Sequence, residues 1–183
     1  MGNIVNIYAD GARRGKEPNF IGGWGTILEA QGQRKEIWGG LVGASNNQME
    51  MTAVLEGLKA IKTNEASIKV FSDSAYIVNC FRDKWYETWL KNGWMTSQKK
   101  PVENKQMWLE ILKLVSKFTS VTFFHIDGHI SLKKPDEVAE FHKKFNQKNN
   151  VKFSLEEFIH VAENNARVDV LAGQGAEDIK KSL

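Results

Sequence analysis

Asp10, Glu50, Asp73 and Asp169 are the residues of this chain whose type and setting best suit chemistry. Asp10 and Asp73 each stand at the carboxyl end of an apolar run, directly before Gly11 and Ser74. A lone Asp there is a good turn residue. If the two runs are neighbouring strands, however, both acids emerge at one sheet edge, where open α/β folds place their ligands. Glu50 precedes Val54 by four residues and Leu58 by eight, on the flank of a helical stripe that should face the sheet. Asp169 lies three residues after Ala166 and three before Ala172, on the apolar side of its own helix. Each has a local explanation taken singly, the helix dipole serving for Glu50. Gathered together, they repel one another and are costly to bury, so cations are the simplest occupants of the space between them. Acids without accompanying Cys favour a hard ion such as Mg²⁺. Two such ions about 3.5–4 Å apart hold the attacking and leaving oxygens of a phosphoryl displacement, which is nuclease chemistry.

Two histidines lie near the last strand. His125 and His129 have the i, i+4 spacing of zinc-binding helices, but a β-rich run and Gly128 argue against a helix and hence against a zinc pair. His125 is expected to pack in or beside the strand. His129, on the loop just past it, is better placed for proton transfer near the acids.

The elements that must carry these residues read as follows. Residues 3–9, 22–29 and 34–40 form an antiparallel meander turning at Ala30-Gln31-Gly32. Ser45-Asn46-Asn47 supplies N-cap chemistry for a helix through Met49, Val54, Leu58 and Ile61. Residues 67–72 form a strand ending at Asp73, a helix begins near Ser74, a further helix covers 105–116, and 121–126 is the last strand. Helical crossovers imply parallel pairing of those strands. The expected architecture is an α/β fold on a five-stranded mixed sheet, three strands antiparallel and then two parallel, flanked by helices. Between 131 and 163 two helix starts stand out, one at Pro135 and one at the capping box Ser154 to Glu157.

With 183 residues, 42% hydrophobic and 26% charged, the chain suits one domain with a modest appendage and is too apolar for disorder. No apolar stretch approaches the roughly 18 residues of a membrane span. Met1-Gly2 invites a lipidation reading that Asn6 spoils, standing where Ser or Thr is needed. One cysteine, Cys80, excludes an internal disulfide and a Cys-rich zinc site and fits a reducing cytoplasm, the expected location. The net charge of +3 is too small to signal nucleic-acid binding by itself, but residues 82–105 concentrate six basic side chains against three acids, together with Trp85, Trp89 and Trp94. Such a mixture suits phosphate tracking with contact to sugars or bases; the tryptophans could equally cap the core.

In register along the chain, Tyr8-Ala9-Asp10-Gly11, Asn46-Asn47-Gln48-Met49-Glu50, Phe71-Ser72-Asp73-Ser74, Asp127-Gly128-His129 and the run from Asn165 to Ala172 resemble ribonuclease H of type 1. Trp85, Trp89, Gly93-Trp94, Lys99-Lys100-Pro101-Val102 and Asn104 are similar to the basic handle of its bacterial and animal members. The resemblance implies an RNase H-like fold over residues 1–183, with the handle at about 82–105. It implies endonucleolytic hydrolysis of the RNA strand of RNA/DNA hybrids with two Mg²⁺ ions, or Mn²⁺, leaving 5′-phosphate and 3′-hydroxyl ends. Asp10 would bridge both metals, Glu50 and Asp73 would hold the ion near the leaving group, and Asp169 the ion that activates water, with His129 assisting proton movement or product release. Asn46 and Asn47 would read minor-groove 2′-hydroxyls, with Gln48 beside them at the helix start. Ser45 and Asn104 would bond the DNA strand, and Trp85, Trp89, Trp94, Lys99 and Lys100 would form the handle surface.

His129 and Asp169 are 40 positions apart where the family has a short loop, so about 131–163 reads as an inserted helical segment, expected as a flap over the edge of the site. Gln48, Ala75 and Arg13-Arg14 also depart from the family pattern. Two alternatives remain: a DNA strand-transfer enzyme of the related fold using Asp10, Asp73 and Glu110, and a non-catalytic hybrid-binding module. A monomer without obligate protein partner is expected, with no separate hybrid-binding domain ahead of the catalytic pattern.

Overall fold

The computed structural model describes residues 3–16 and 20–183. The lipidation motif at Met1 and Gly2, and part of the polar loop after the first strand, fall outside these residues. Five strands, β1 (Asn3–Arg14), β2 (Ile21–Ala30), β3 (Gln33–Val42), β4 (Ala66–Ser72) and β5 (Ser120–His125), form one sheet in the order β3-β2-β1-β4-β5. The first three pair antiparallel, and β4 and β5 join parallel, as the hairpin and crossover signals require. The hairpin between β2 and β3 turns on Gln31 and Gly32, both at positive φ, the conformation whose twist matches the flanking strands.

Alternation along the central strands divides the core in two. Ile7, Val70 and Phe123 lie in register on one side, with α1 (Asn46–Ala60) and α4 (Lys105–Val115). Tyr8, Phe71 and Phe124 are also in register; their rings stack at 5.1 and 5.0 Å on the other side, against Phe145, Phe153 and Phe158. Period-2 geometry sends neighbours to opposite faces, so both faces of the sheet are buried. Between β4 and β5 lie α2 (Ala75–Arg82), α3 (Trp85–Asn92) and α4; α5 (Pro135–Asn149) and α6 (Leu155–Ser182) follow β5. No helix among the described residues is long and apolar enough to cross a membrane.

Three expectations need correction. First, β1 does not end at Asp10 but runs on to Arg14, because β2 continues to pair with it as far as Arg14↔Ile21. The parallel ladder to β4 stops at Ala9↔Ser72, so Asp10 is the first residue beyond β4's last rung. Second, the segment 131–163 is not a unit. Its second capping box does cap a helix, with Ser154 and Glu157 bonding reciprocally, but that helix is α6, which continues without a break through Asp169 to Ser182. Third, α5 is not a flap over the acids. Its Val138 and Phe145 are buried with Phe158 and Val161 of α6 in the core cluster beneath Tyr8, Phe71 and Phe124, which removes large apolar surfaces from water.

Candidate active site

The four acids come from four elements, and two glycines decide how closely these meet. A Cβ on Gly11 would lie 2.3 Å from the backbone nitrogen of Glu50, so only glycine lets β1 touch the first turns of α1 and set Asp10 beside Glu50. On the opposite face Gly25 is the register partner of Asp10, and a Cβ there would lie 2.7 Å from the Val168 carbonyl oxygen and 2.8 Å from the Ala172 nitrogen. α6 therefore rests directly on the sheet at the turn that carries Asp169. Arg167 pairs with Glu36 at 2.8 Å and the Trp38 indole donates to Asp178 at 3.0 Å, pinning the same helix to β3. α1 is oriented by its cap: the Ser45 hydroxyl accepts from the Gln48 N–H while Gln48 Oε1 accepts from the Ser45 N–H. Ser74 caps α2 directly after Asp73.

Oxygens of Asp10, Glu50 and Asp73 lie within 4.8 Å of one another. These three, with Asp169, His129, Asn46, Asn47, Ser74, Tyr76 and backbone around Gly11, line one open cavity of about 430 Å³. Asp10 and Glu50 are each only 5% exposed. The Gly11 N–H donates to Asp10 Oδ1 at 2.8 Å, and Asn46 approaches Glu50 Oε1 at 3.5 Å. Glu50 Oε2 is buried and receives no hydrogen bond. Burial, then the charges of Asp73 and Asp169, push the Asp10 carboxyl up to about 7. Burial and the same mutual repulsion hold Glu50 well above the carboxylate range and raise Asp73, the latter eased by His129. A cluster that resists its own ionisation, with one buried carboxylate oxygen unanswered, fits a divalent cation: positive charge removes the repulsion and can supply the missing partner.

His129 stands on the exposed loop after β5, on this cavity. His125 closes β5 and is buried, and burial lowers its pKa. Its Nε2 lies 3.1 Å from the Asp73 carbonyl oxygen, a link from strand to site that sequence reading missed; a histidine ending an aromatic strand was the available signal. Asn46 and Asn47 are exposed on the rim, and Asn47 continues into a groove with Tyr76, Trp89, Lys100 and Pro101. Ser45 and Gln48 are turned upon each other in the capping box, half-buried, and line neither hollow. Trp89 and Trp94 are buried with Trp108 in the core, Trp89 keeping an edge on that groove, and Trp85 is half-buried beside Tyr76, so the tryptophans mainly root the handle. Lys99 and Lys100 are exposed, and Asn104 precedes α4 in a left-handed conformation without a side-chain cap bond. Glu110, the third acid of the strand-transfer alternative, lies on α4 and does not line the cavity.

A family model described as RNase H matches residues 2–177. The chain belongs to the RNase H family. It is 42% identical over 127 residues to the Ribonuclease H of Thermoanaerobacter sp. (strain X514), covering 69% of this chain and 79% of that one. Against the Ribonuclease H of Chlorobaculum parvum it is 44% identical over 129 residues, covering 70% and 86%. Among solved structures, LC11-RNase H1 in complex with RNA/DNA hybrid shares the fold with a TM-score of 0.56 at 18% identity, covering 96% of this chain and 98% of that one. The strand order is thus that of an RNase H-like fold, and the family match together with relatives named Ribonuclease H makes the chain an endoribonuclease.

Proposed function

We propose that residues 1–183 form one catalytic domain that hydrolyses the RNA strand of RNA/DNA hybrids, leaving 5′-phosphate and 3′-hydroxyl ends. The observation that carries this reading is the convergence of four carboxylates from β1, α1, α6 and the end of β4 on one open cavity. Asp10, Glu50 and Asp73 would hold one divalent ion, and Asp10 with Asp169 a second. Mg²⁺ is the favoured ion, with Mn²⁺ an alternative, since the donors are all oxygens. Ions bound there activate a water and compensate charge on the scissile phosphate. The protein's own part is placement. Gly11 and Gly25 bring the acids together, and His129, on its exposed loop, carries protons between site and solvent. Asn46 and Asn47, at the start of α1, face a bound duplex and can test for 2′-hydroxyls. Lys99 and Lys100 in the handle attract the phosphates of the accompanying strand.

The four acids of one chain line one cavity, so on this reading no partner is needed to complete the site, and the single buried Cys80 suits a reducing cytoplasm. The test uses end-labelled RNA/DNA hybrid, duplex RNA and duplex DNA, each with Mg²⁺ and then with chelator. Cleavage confined to the hybrid's RNA strand and abolished by chelation is expected. Retention of hybrid without cleavage would leave a binding module, and joining or nicking of DNA would favour strand transfer.

A further inference from the structure

The tie between His125 and Asp73 is one link of a closed circuit of bonds that runs through α5. Asn149, the last residue of α5, grips the end of β5 with both amide atoms: its Oδ1 accepts from the His125 N–H at 2.8 Å and its Nδ2 donates to the His125 carbonyl at 2.8 Å. β5 is an edge strand, and this amide satisfies both backbone groups of its last residue as a neighbouring strand would. The Phe145 carbonyl accepts from the same Nδ2 at 2.9 Å, which fixes the amide's orientation on α5. Arg82, at the end of α2, donates to Asn149 Oδ1 at 2.8 Å and to the Lys148 carbonyl at 3.1 Å. Lys148 in turn pairs with Asp127, two residues past β5, at 3.0 Å. α2 starts immediately after Asp73, so the circuit returns to the site at both of its ends.

Within that circuit the His125 ring is held against Asp73. A carbonyl oxygen only accepts, so Nε2 carries the proton and donates to Asp73 at 3.1 Å. The ring's other nitrogen, Nδ1, is buried without a hydrogen-bond partner, the Asp127 carboxylate standing 3.8 Å away. On packing grounds alone an apolar ring of similar size would serve this position better, because a buried unpartnered nitrogen is unfavourable. What the histidine adds is the bond to Asp73. Ile126 N–H bonds the Ser72 carbonyl at 3.1 Å and Gly128 packs against the Asp73 carboxylate, where a Cβ would lie 2.8 Å from Oδ2. Asp73 is thus confined from its backbone and from its side chain by the strand and loop that α5 secures.

We propose that α5 is a brace for the metal site, acting through Asn149 and His125, and that His125 is a positioning residue that holds Asp73 in place for ion binding. This rests on the reading of Asp73 as a metal ligand. Partners that orient a metal's ligands typically govern affinity by about 10- to 100-fold. The experiment measures Mg²⁺ binding to the substrate-free protein by calorimetry, alongside kcat, KM and half-saturating Mg²⁺ on a hybrid, for wild type, His125→Phe, His125→Gln and Asn149→Ala. Gln retains a donor near the Nε2 position, whereas Phe retains the ring and loses it. His125→Phe and Asn149→Ala are expected to weaken Mg²⁺ binding by about tenfold, leaving KM for the hybrid and the melting cooperativity near those of wild type, while His125→Gln recovers most of the affinity. Should His125→Phe fail to fold, Arg82→Gln breaks the same circuit farther from the site and should shift Mg²⁺ binding in the same direction. Mg²⁺ affinities equal to wild type in the folded variants would overturn the brace. A wild-type protein that binds no Mg²⁺ would instead overturn the underlying site.

Discussion

At the scale of single residues, the site is built from charges that the fold holds together against their own repulsion. The ordinary Asp value is 3.8 and the folded Asp10 stands at about 7. Between these values the folded chain holds a proton that the unfolded chain has lost, so the stability of ion-free protein falls as pH rises through this window. Asp10→Asn removes that cost. In chelator its Tm should exceed wild type at pH 8 by a few degrees, about the shift that 1 kcal/mol produces in a domain of this size, with no gain at pH 4. Cleavage should be lost in the same variant. Thermal melts at the two pH values check the prediction, and an unchanged or lower Tm at pH 8 would show that the cluster is not strained. The four acids were legible in the sequence only as a set, because each has a cheap local role taken singly and the cost of gathering them is what points to a cation. His125 was legible only as a strand residue: nothing in its spacing reveals a bond to the carbonyl of a residue 52 positions away.

At the scale of elements, caps and apolar runs announced where the strands, α1, α2 and α6 begin, whereas α3 starts after a left-handed Lys84 with no cap and was not announced; packing between elements decided where they end. The continuation of β1 past Asp10 had no local signal, since Gly11, Ala12, Arg13 and Arg14 lack an apolar pattern and are held by pairing with β2. The capping box at Ser154 was visible, but it opens the helix that carries Asp169 and does not close an inserted pair. The seating of that helix on Gly25 yields a second prediction. Gly25→Ala forces a methyl group to within 2.6 Å of Leu171 Cβ and against the α6 backbone, so α6 must lift at Asp169. Overpacking of this kind costs about 1–3 kcal/mol. Denaturant unfolding should report that loss, and the Mg²⁺ needed for half-maximal cleavage should rise while KM for the hybrid holds. Full stability in Gly25→Ala would mean that α6 is not closely seated there.

At the scale of the whole molecule, the proposed function assigns cutting to the acidic cavity and holding to the basic handle. Spacing alone left Trp85 and Trp89 able to serve core or ligand; Trp89 and Trp94 pack in the core, Trp89 with an edge on the groove beside Lys100, and Lys99 and Lys100 are exposed. Replacing both lysines with alanine should weaken hybrid binding and reduce the slope of log K against log salt by about 0.7–0.9 for each phosphate that is no longer neutralised, with kcat at saturating substrate retained. Trp94→Ala should instead lower stability by about 3–5 kcal/mol, as removal of a buried aromatic does. Fluorescence anisotropy across a salt series separates the two; an unchanged slope in the lysine variant would remove the handle from binding.

The most direct test of the central claim is diffraction from crystals of the protein soaked in Mn²⁺, recorded at the manganese edge. One anomalous peak enclosed by Asp10, Glu50 and Asp73 is predicted, absent when Asp10 is replaced by Asn. Peaks confined to surface carboxylates elsewhere, with none among those three, would contradict it.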